Sequence, residues 1–281
     1  MIAYLNGRFV EEAEAVVPIA DRGFLYGDSL FETLRVANGR PFRWPLHVER
    51  LRKGAEFIGI TVTPTPKELR SVMAELIRHN ERSDCLLRVT LSRGIGPRGY
   101  SPRSAGPPTL VMTVHELPTP TPGAEEGWRV GTSSFRLAAN DRLATHKTGS
   151  RLLNVLARAE AEASGYQEAL LLNTNGEVVE ATGANVFWIK RDTVTTSPSA
   201  LGALPGITRA VVLELCTAEG VATRKRIATL EVLQSADAVF LTNSGEGVVN
   251  VCSIDGTRLR GSALVAKLRE AYEQLVRRET A

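Results

Sequence analysis

The stretch Pro118-Thr119-Pro120-Thr121-Pro122-Gly123 decides how the chain is divided. Prolines in alternation remove backbone donors and fix φ, so the stretch suits neither a helix interior nor a sheet centre. It reads as a linker. Residues 1–117 then form a smaller N-terminal domain, 118–124 the linker, and 125–281 a larger C-terminal domain that carries Lys147.

Outward from the linker, both parts mix strands with helices. Asn6-Gly7 is a hairpin turn between strands at 3–5 and 8–10. Strands at 30–36 and 40–43 follow, split by Asn38-Gly39. A helix starts near Pro45, with Leu51, Ala55 and Ile58 on one face, and the pattern recurs over 66–79. Strands at 86–92 and 109–114 flank a glycine-rich loop. After the linker, 150–164 is amphipathic, with Leu152, Leu156, Ala159 and Ala163 sharing a face. A hairpin at 169–172 and 177–181, strands at 186–190 and 238–241, and helices at 208–219 and 262–278 complete the pattern. Strands precede helices without a strict βαβ rhythm, which predicts two mixed α/β (α+β) domains.

Composition narrows the function. The net charge of +3 is spread along 281 residues, which argues against a nucleic-acid or membrane-surface partner. No run approaches the roughly 20 apolar residues of a membrane span, and the first residues lack the basic and apolar regions of a signal peptide. Cys85, Cys216 and Cys252 are widely spaced and read as buried, reduced thiols of a cytoplasmic protein. Histidines without ligand spacing make a metal site unexpected.

Lysine occurs six times among 34 basic residues, and Lys147 stands apart. It lies in Ala144-Thr145-His146-Lys147-Thr148-Gly149, between an irregular segment and an amphipathic helix. A lysine at such a junction can face a cleft, where desolvation and nearby cations favour the neutral, nucleophilic amine. Taken alone it also fits a solvated surface lysine. Glu180 sits among apolar residues at a strand end, where a carboxylate needs a partner; a pyridine nitrogen would be one, hairpin solvent another. Gly206-Ile207-Thr208-Arg209 puts unpaired amides at a helix start, an arrangement suited to phosphate. Thr242-Asn243-Ser244-Gly245 could add a hydroxyl, and Arg50 a charge-assisted contact. The loop from Ser92 to Tyr100 carries two arginines suited to carboxylates. Its Arg-Gly pairs also allow an RNA-binding reading, but no stacking aromatics accompany them.

In their order along the chain these pieces resemble the class IV pyridoxal-phosphate family of branched-chain aminotransferases, D-amino acid aminotransferases and 4-amino-4-deoxychorismate lyases. Asp21–Asp28 with Phe31-Glu32-Thr33 is similar to its N-terminal signature, and His47–Leu51 to the segment whose arginine grips the cofactor phosphate. The resemblance implies pyridoxal 5'-phosphate as cofactor, with Lys147 as the catalytic Schiff-base lysine and Glu180 at the pyridine nitrogen. Arg50, Ile207, Thr208 and Ser244 would bind the phosphate. It also implies the two-domain fold of type IV enzymes and a homodimer whose loop near Arg98 reaches the partner's site. Phe31, Arg98 and Tyr100 would meet a small amino substrate. Phe31 stands where D-amino acid aminotransferases have tyrosine, and Tyr100 where they have histidine. Val249-Asn250-Val251 replaces a segment that usually contains proline. The glycine loop resembles the lyases most, which makes cleavage of aminodeoxychorismate to 4-aminobenzoate and pyruvate the leading expectation. Amino-acid transamination comes next, and a non-catalytic binding protein on the same scaffold is the reading from another class.

Overall fold

A computed structural model describes residues 1–62, 64–118 and 126–281. Apart from Pro118, the expected linker lies outside these residues. The chain divides into two compact units, one made of Met1–Leu117, His146–Arg151 and Val276–Ala281, the other of Pro118–Thr145 and Leu152–Leu275. Lys147 thus falls in the first unit, whereas the sequence reading counted it with the C-terminal domain.

The first unit holds strands β1 (Ile2–Leu5), β2 (Arg8–Glu11), β3 (Ser29–Ala37), β4 (Arg40–Pro41), β5 (Cys85–Ser92) and β6 (Thr109–His115). Its helices are α1 (Arg22–Tyr26), α2 (Trp44–Ile58) and α3 (Pro66–His79). The strands make one antiparallel sheet in the order β2-β1-β6-β5-β3-β4. Local chemistry sets its boundaries. Asn6 and Gly7 both have positive φ, 46° and 92°, as a two-residue hairpin of the strands' twist requires. Thr65 and Glu68 form a reciprocal capping box at the start of α3. Alternation then divides the sheet faces. Leu30, Leu34 and Val36 of β3 join Leu87, Val89 and Leu91 of β5 in one core with α2 and α3. Phe31, Thr33, Arg88 and Thr90 stand on the opposite, half-buried face.

The second unit is built on a nine-stranded sheet. Its strands are β7 (Trp128–Leu137), β8 (Glu168–Asn173), β9 (Val178–Ala181), β10 (Asn185–Lys190), β11 (Thr193–Thr196), β12 (Ala222–Lys225), β13 (Ala238–Asn243), β14 (Gly247–Ile254) and β15 (Thr257–Arg258). The order is β12-β11-β10-β13-β14-β7-β8-β9, with β15 on β14. Parallel pairs at β7/β8, β7/β14 and β11/β12 make it a mixed sheet. Its helices are α4 (Leu152–Ala163), α5 (Ile207–Ala218), α6 (Leu230–Gln234) and α7 (Ala263–Glu279), the last counted with the first unit from Val276 on.

The structure turns a different stripe of α4 inward from the one that hydrophobic periodicity predicts. Ala157 and Ala161 are buried against Ala169 and Leu171 of β8, with Leu153 packed beside them, while Leu152 and Leu156 are exposed. Small side chains let the helix approach the sheet closely, and hydrophobicity alone does not reveal that. Cys85 and Cys216 are buried and Cys252 half-buried, all three free thiols.

Candidate active site

Lys147 is fixed by its backbone before its side chain is considered. The Phe31 N–H donates to the Lys147 carbonyl at 2.9 Å, Thr148 forms an isolated antiparallel bridge with Leu30, and the Gly149 N–H donates to the Ser29 carbonyl at 2.8 Å. The segment therefore lies along the edge of β3. A Cβ on Gly149 would come within 2.0 Å of Ser29 Oγ, so a side chain there would force that hydroxyl to turn away. Arg151 donates to the carbonyls of His146 and Thr148, and the His146 ring stacks on Phe57 with centroids 4.1 Å apart.

From this mount the Lys147 Nζ lies 4.4 Å from the centre of the Phe31 ring. The Arg88 guanidinium, which the sequence reading passed over, lies 4.0 Å from the same centre. Arg88 reaches it because β3 and β5 pair Thr33 with Arg88, placing Phe31 and Arg88 two residues apart on one face. The Arg88 side chain has no hydrogen bond or ion pair among the described residues, and burial lowers its pKa. A half-buried guanidinium of this kind is suited to an anion.

On the other face of β3, Glu32 is the hub of a buried charge network. His47 Nδ1 lies 2.7 Å from its carboxylate, and Arg50 donates through Nε at 2.8 Å and Nη2 at 2.6 Å. Burial alone raises the Glu32 pKa, but the bonds from Arg50 and His47 outweigh it and hold the group at about 2. Burial keeps the His47 pKa low against the pull of Glu32, and the charges of Arg50 and Lys147 add to that effect. The orientation of Arg50, expected at the phosphate, is therefore set by Glu32, a partner that spacing along the chain did not reveal.

The second unit gathers another group of the expected residues. Glu180 on β9 is buried; its Oε2 accepts from Asn185 Nδ2 at 3.1 Å and from the Leu204 N–H at 2.8 Å. Asn185 Nδ2 also donates to the Leu204 carbonyl at 2.9 Å, tying Glu180 to the turn before α5. Ile207 and Thr208 are the first residues of α5, where N–H groups have no intrahelical acceptor. Arg209 donates instead to Thr196 Oγ1 and the Ser197 carbonyl. Thr242 stands opposite Asn185 in the β10/β13 pair, hence on the same face, and its buried Oγ1 has no hydrogen-bond partner among the described residues. Ser244 is half-buried in the following turn, which Asn243 Oδ1 braces by accepting from the N–H groups of Gly245 and Glu246. A buried carboxylate, helix-start amides and an orphaned hydroxyl on one unit suit a group with a protonated ring nitrogen and a phosphate.

Arg98 and Tyr100 have exposed side chains on the loop after β5, and that loop is attached to α1. Asn250 turns its Nδ2 to the Glu126 carbonyl at 2.8 Å, so its side chain braces backbone beside β7. No cluster of metal-ligating side chains occurs among the described residues, and no described helix is long and apolar enough to cross a membrane.

The chain's family and its structural relatives make it a pyridoxal 5'-phosphate enzyme of fold type IV. The family described as Amino-transferase class IV matches residues 29–254, and the chain belongs to it. It is 36% identical over 279 residues to a protein of Methanocaldococcus jannaschii provisionally named a branched-chain-amino-acid aminotransferase, covering 98% of this chain and 96% of that one. It is 32% identical over 253 residues to the aminodeoxychorismate lyase of Vibrio harveyi, covering 90% and 92%. Among solved structures, the branched-chain aminotransferase of Thermoproteus uzoniensis with norvaline superposes with a TM-score of 0.91 at 29% identity, covering 98% of this chain and 94% of that one.

Proposed function

We propose that the chain is an amino-acid aminotransferase whose Lys147 moves the reacting proton and whose Arg88 receives a substrate carboxylate. The observation that carries this reading is the placement of both cations against the Phe31 ring. Pyridoxal 5'-phosphate, when bound, supplies a carbonyl for amine condensation and a pyridine ring that withdraws electrons. Lys147 Nζ would hold the cofactor and, when its amine is free, would move the proton at the amine-bearing carbon of the substrate. The Glu180 carboxylate, oriented by Asn185 and the Leu204 N–H, would keep the ring nitrogen protonated. Arg50, the amides of Ile207 and Thr208, and the hydroxyl of Ser244 would hold the phosphate, with Thr242 Oγ1 as a further donor. Arg98 and Tyr100 serve a second carboxylate contact, contributed across a homodimer. The 36% identity over 98% of the chain to the M. jannaschii protein supports transamination.

Aminodeoxychorismate lyase is the second reading. It is favoured by the arginine and tyrosine of the glycine loop, since that substrate carries two carboxylates, and by the Vibrio harveyi relative. Incubation with L-glutamate, D-alanine and branched-chain L-amino acids against 2-oxo acids, in parallel with aminodeoxychorismate, separates the two. A new amino acid and 2-oxo acid support transamination; 4-aminobenzoate with pyruvate and no amino transfer replaces it by the lyase. Neither product ends both readings.

A further inference from the structure

The Asp21–Asp28 signature supplies no residue to the chemistry above, yet Arg22 within it is only 3% exposed. Its guanidinium spans three acceptors: Nε donates to Asp28 at 3.0 Å, Nη1 to the Gly99 carbonyl at 2.8 Å, and Nη2 to the Tyr100 carbonyl at 3.2 Å. The Gly99 N–H donates to Tyr26 Oη at 3.0 Å, and the rings of Tyr26 and Tyr100 lie 5.7 Å apart. The loop's first half is pinned as well. The Arg22 N–H donates to the Gly94 carbonyl at 2.9 Å, and the Gly96 N–H to the Ala20 carbonyl at 3.3 Å. A Cβ on Gly96 would lie 2.7 Å from Arg22 Cδ, so the loop runs directly over the arginine stem. Asp28, the counter-ion, is gripped in turn by Arg93 through Nε at 2.6 Å and Nη2 at 2.9 Å.

The side chains this loop carries are treated in the opposite way. Tyr100 is 89% exposed and Arg98 is exposed, although the carbonyls of Gly99 and Tyr100 are both held. An exposed arm on a fixed backbone costs conformational entropy to build, and the return is a ligand-binding group that needs little ordering when it binds. We propose that Arg22, assisted by Tyr26, is a positioning residue that preorganises the 96–100 loop so that Arg98 and Tyr100 meet a substrate carboxylate. The inference rests on the reading of Arg98 and Tyr100 as carboxylate ligands.

Arg22→Lys keeps the charge facing Asp28 and loses the fork across the two carbonyls. Tyr26→Phe keeps the ring and removes only the acceptor of the Gly99 N–H, so it carries the test should Arg22→Lys fold poorly. Both are compared as holoenzymes with wild type and Arg98→Ala, reading amide hydrogen exchange across 97–101 together with KM and kcat for an amino-acid donor. The expected result is faster exchange at Gly99 and a KM raised about three- to tenfold, the cost of ordering one or two residues on binding, with a smaller change in kcat. Combining Arg22→Lys with Arg98→Ala should raise KM beyond Arg98→Ala by less than Arg22→Lys raises it in the wild type, because only Tyr100 is left to position. Unchanged exchange in both variants overturns the clamp. Faster exchange with unchanged KM, while Arg98→Ala raises KM, overturns the positioning role and leaves the reading of Arg98 standing. An unchanged KM in Arg98→Ala removes both.

Discussion

Lys147 and Arg88 share one aromatic ring: the amine lies 4.4 Å and the guanidinium 4.0 Å from the centre of Phe31. Cations near an aromatic face are attracted by its quadrupole, and a ring held in a sheet fixes where they stand. The result is an amine and a guanidinium gathered at one ring of β3. Their separate roles can be told apart by substitution.

Lys147→Ala should leave a folded protein, because the half-buried side chain is no part of the core cluster. It should abolish turnover and the covalent fixation of cofactor by borohydride. Mass spectrometry of the reduced protein checks this. Fixation at Lys53 or any other lysine would show that Lys147 was misassigned.

Arg88→Leu should spare cofactor content and weaken kcat/KM for substrates with a second carboxylate by about thirtyfold, near the low end for unpairing a partly buried charge. Amino acids with apolar side chains should suffer less. Titration of both donor classes against one acceptor reads the difference; equal losses would put Arg88 at the carboxylate that all donors share, and no loss with either would remove it from substrate recognition.

Glu180→Gln should retain cofactor and lower kcat by at least about a hundredfold, as expected when one preorganised electrostatic partner is lost. The neutral amide still fits between Asn185 and Leu204, so melting temperature should change little. Near-normal turnover would return Glu180 to the rank of a hairpin residue.

Glu32→Gln tests the buried network. The native carboxyl titrates at about 2, below its ordinary 4.5, so its stabilisation is complete above about pH 4.5 and drains away as pH falls toward 2. It amounts to something on the order of 3 kcal/mol, shared among coupled groups. Urea midpoints at pH 7 and pH 3 should show wild type well ahead of the variant at the first pH and the gap narrowing at the second. A gap that does not depend on pH would mean that the carboxylate charge is not what stabilises this network.

The sequence by itself determined whatever is written locally. Asn6-Gly7, Pro45 and the Thr65/Glu68 capping box mark their own boundaries because turn and cap geometry depend on neighbouring residues. Lys147 and Glu180 were singled out by their order among the other motifs. By contrast, β7 and β14 escaped notice, because irregular burial and shifts in register along them hide any alternation. Contacts between residues far apart in the chain were decided only by tertiary structure. Arg88 meets Phe31 through the register of β3 and β5, Glu32 meets Arg50 across the start of α2, and Arg22 meets Gly99 at 77 residues' separation. A one-residue slip of register would turn Arg88 to the other face of the sheet. Composition and spacing specify which groups are present, but strand register and packing decide which of them touch.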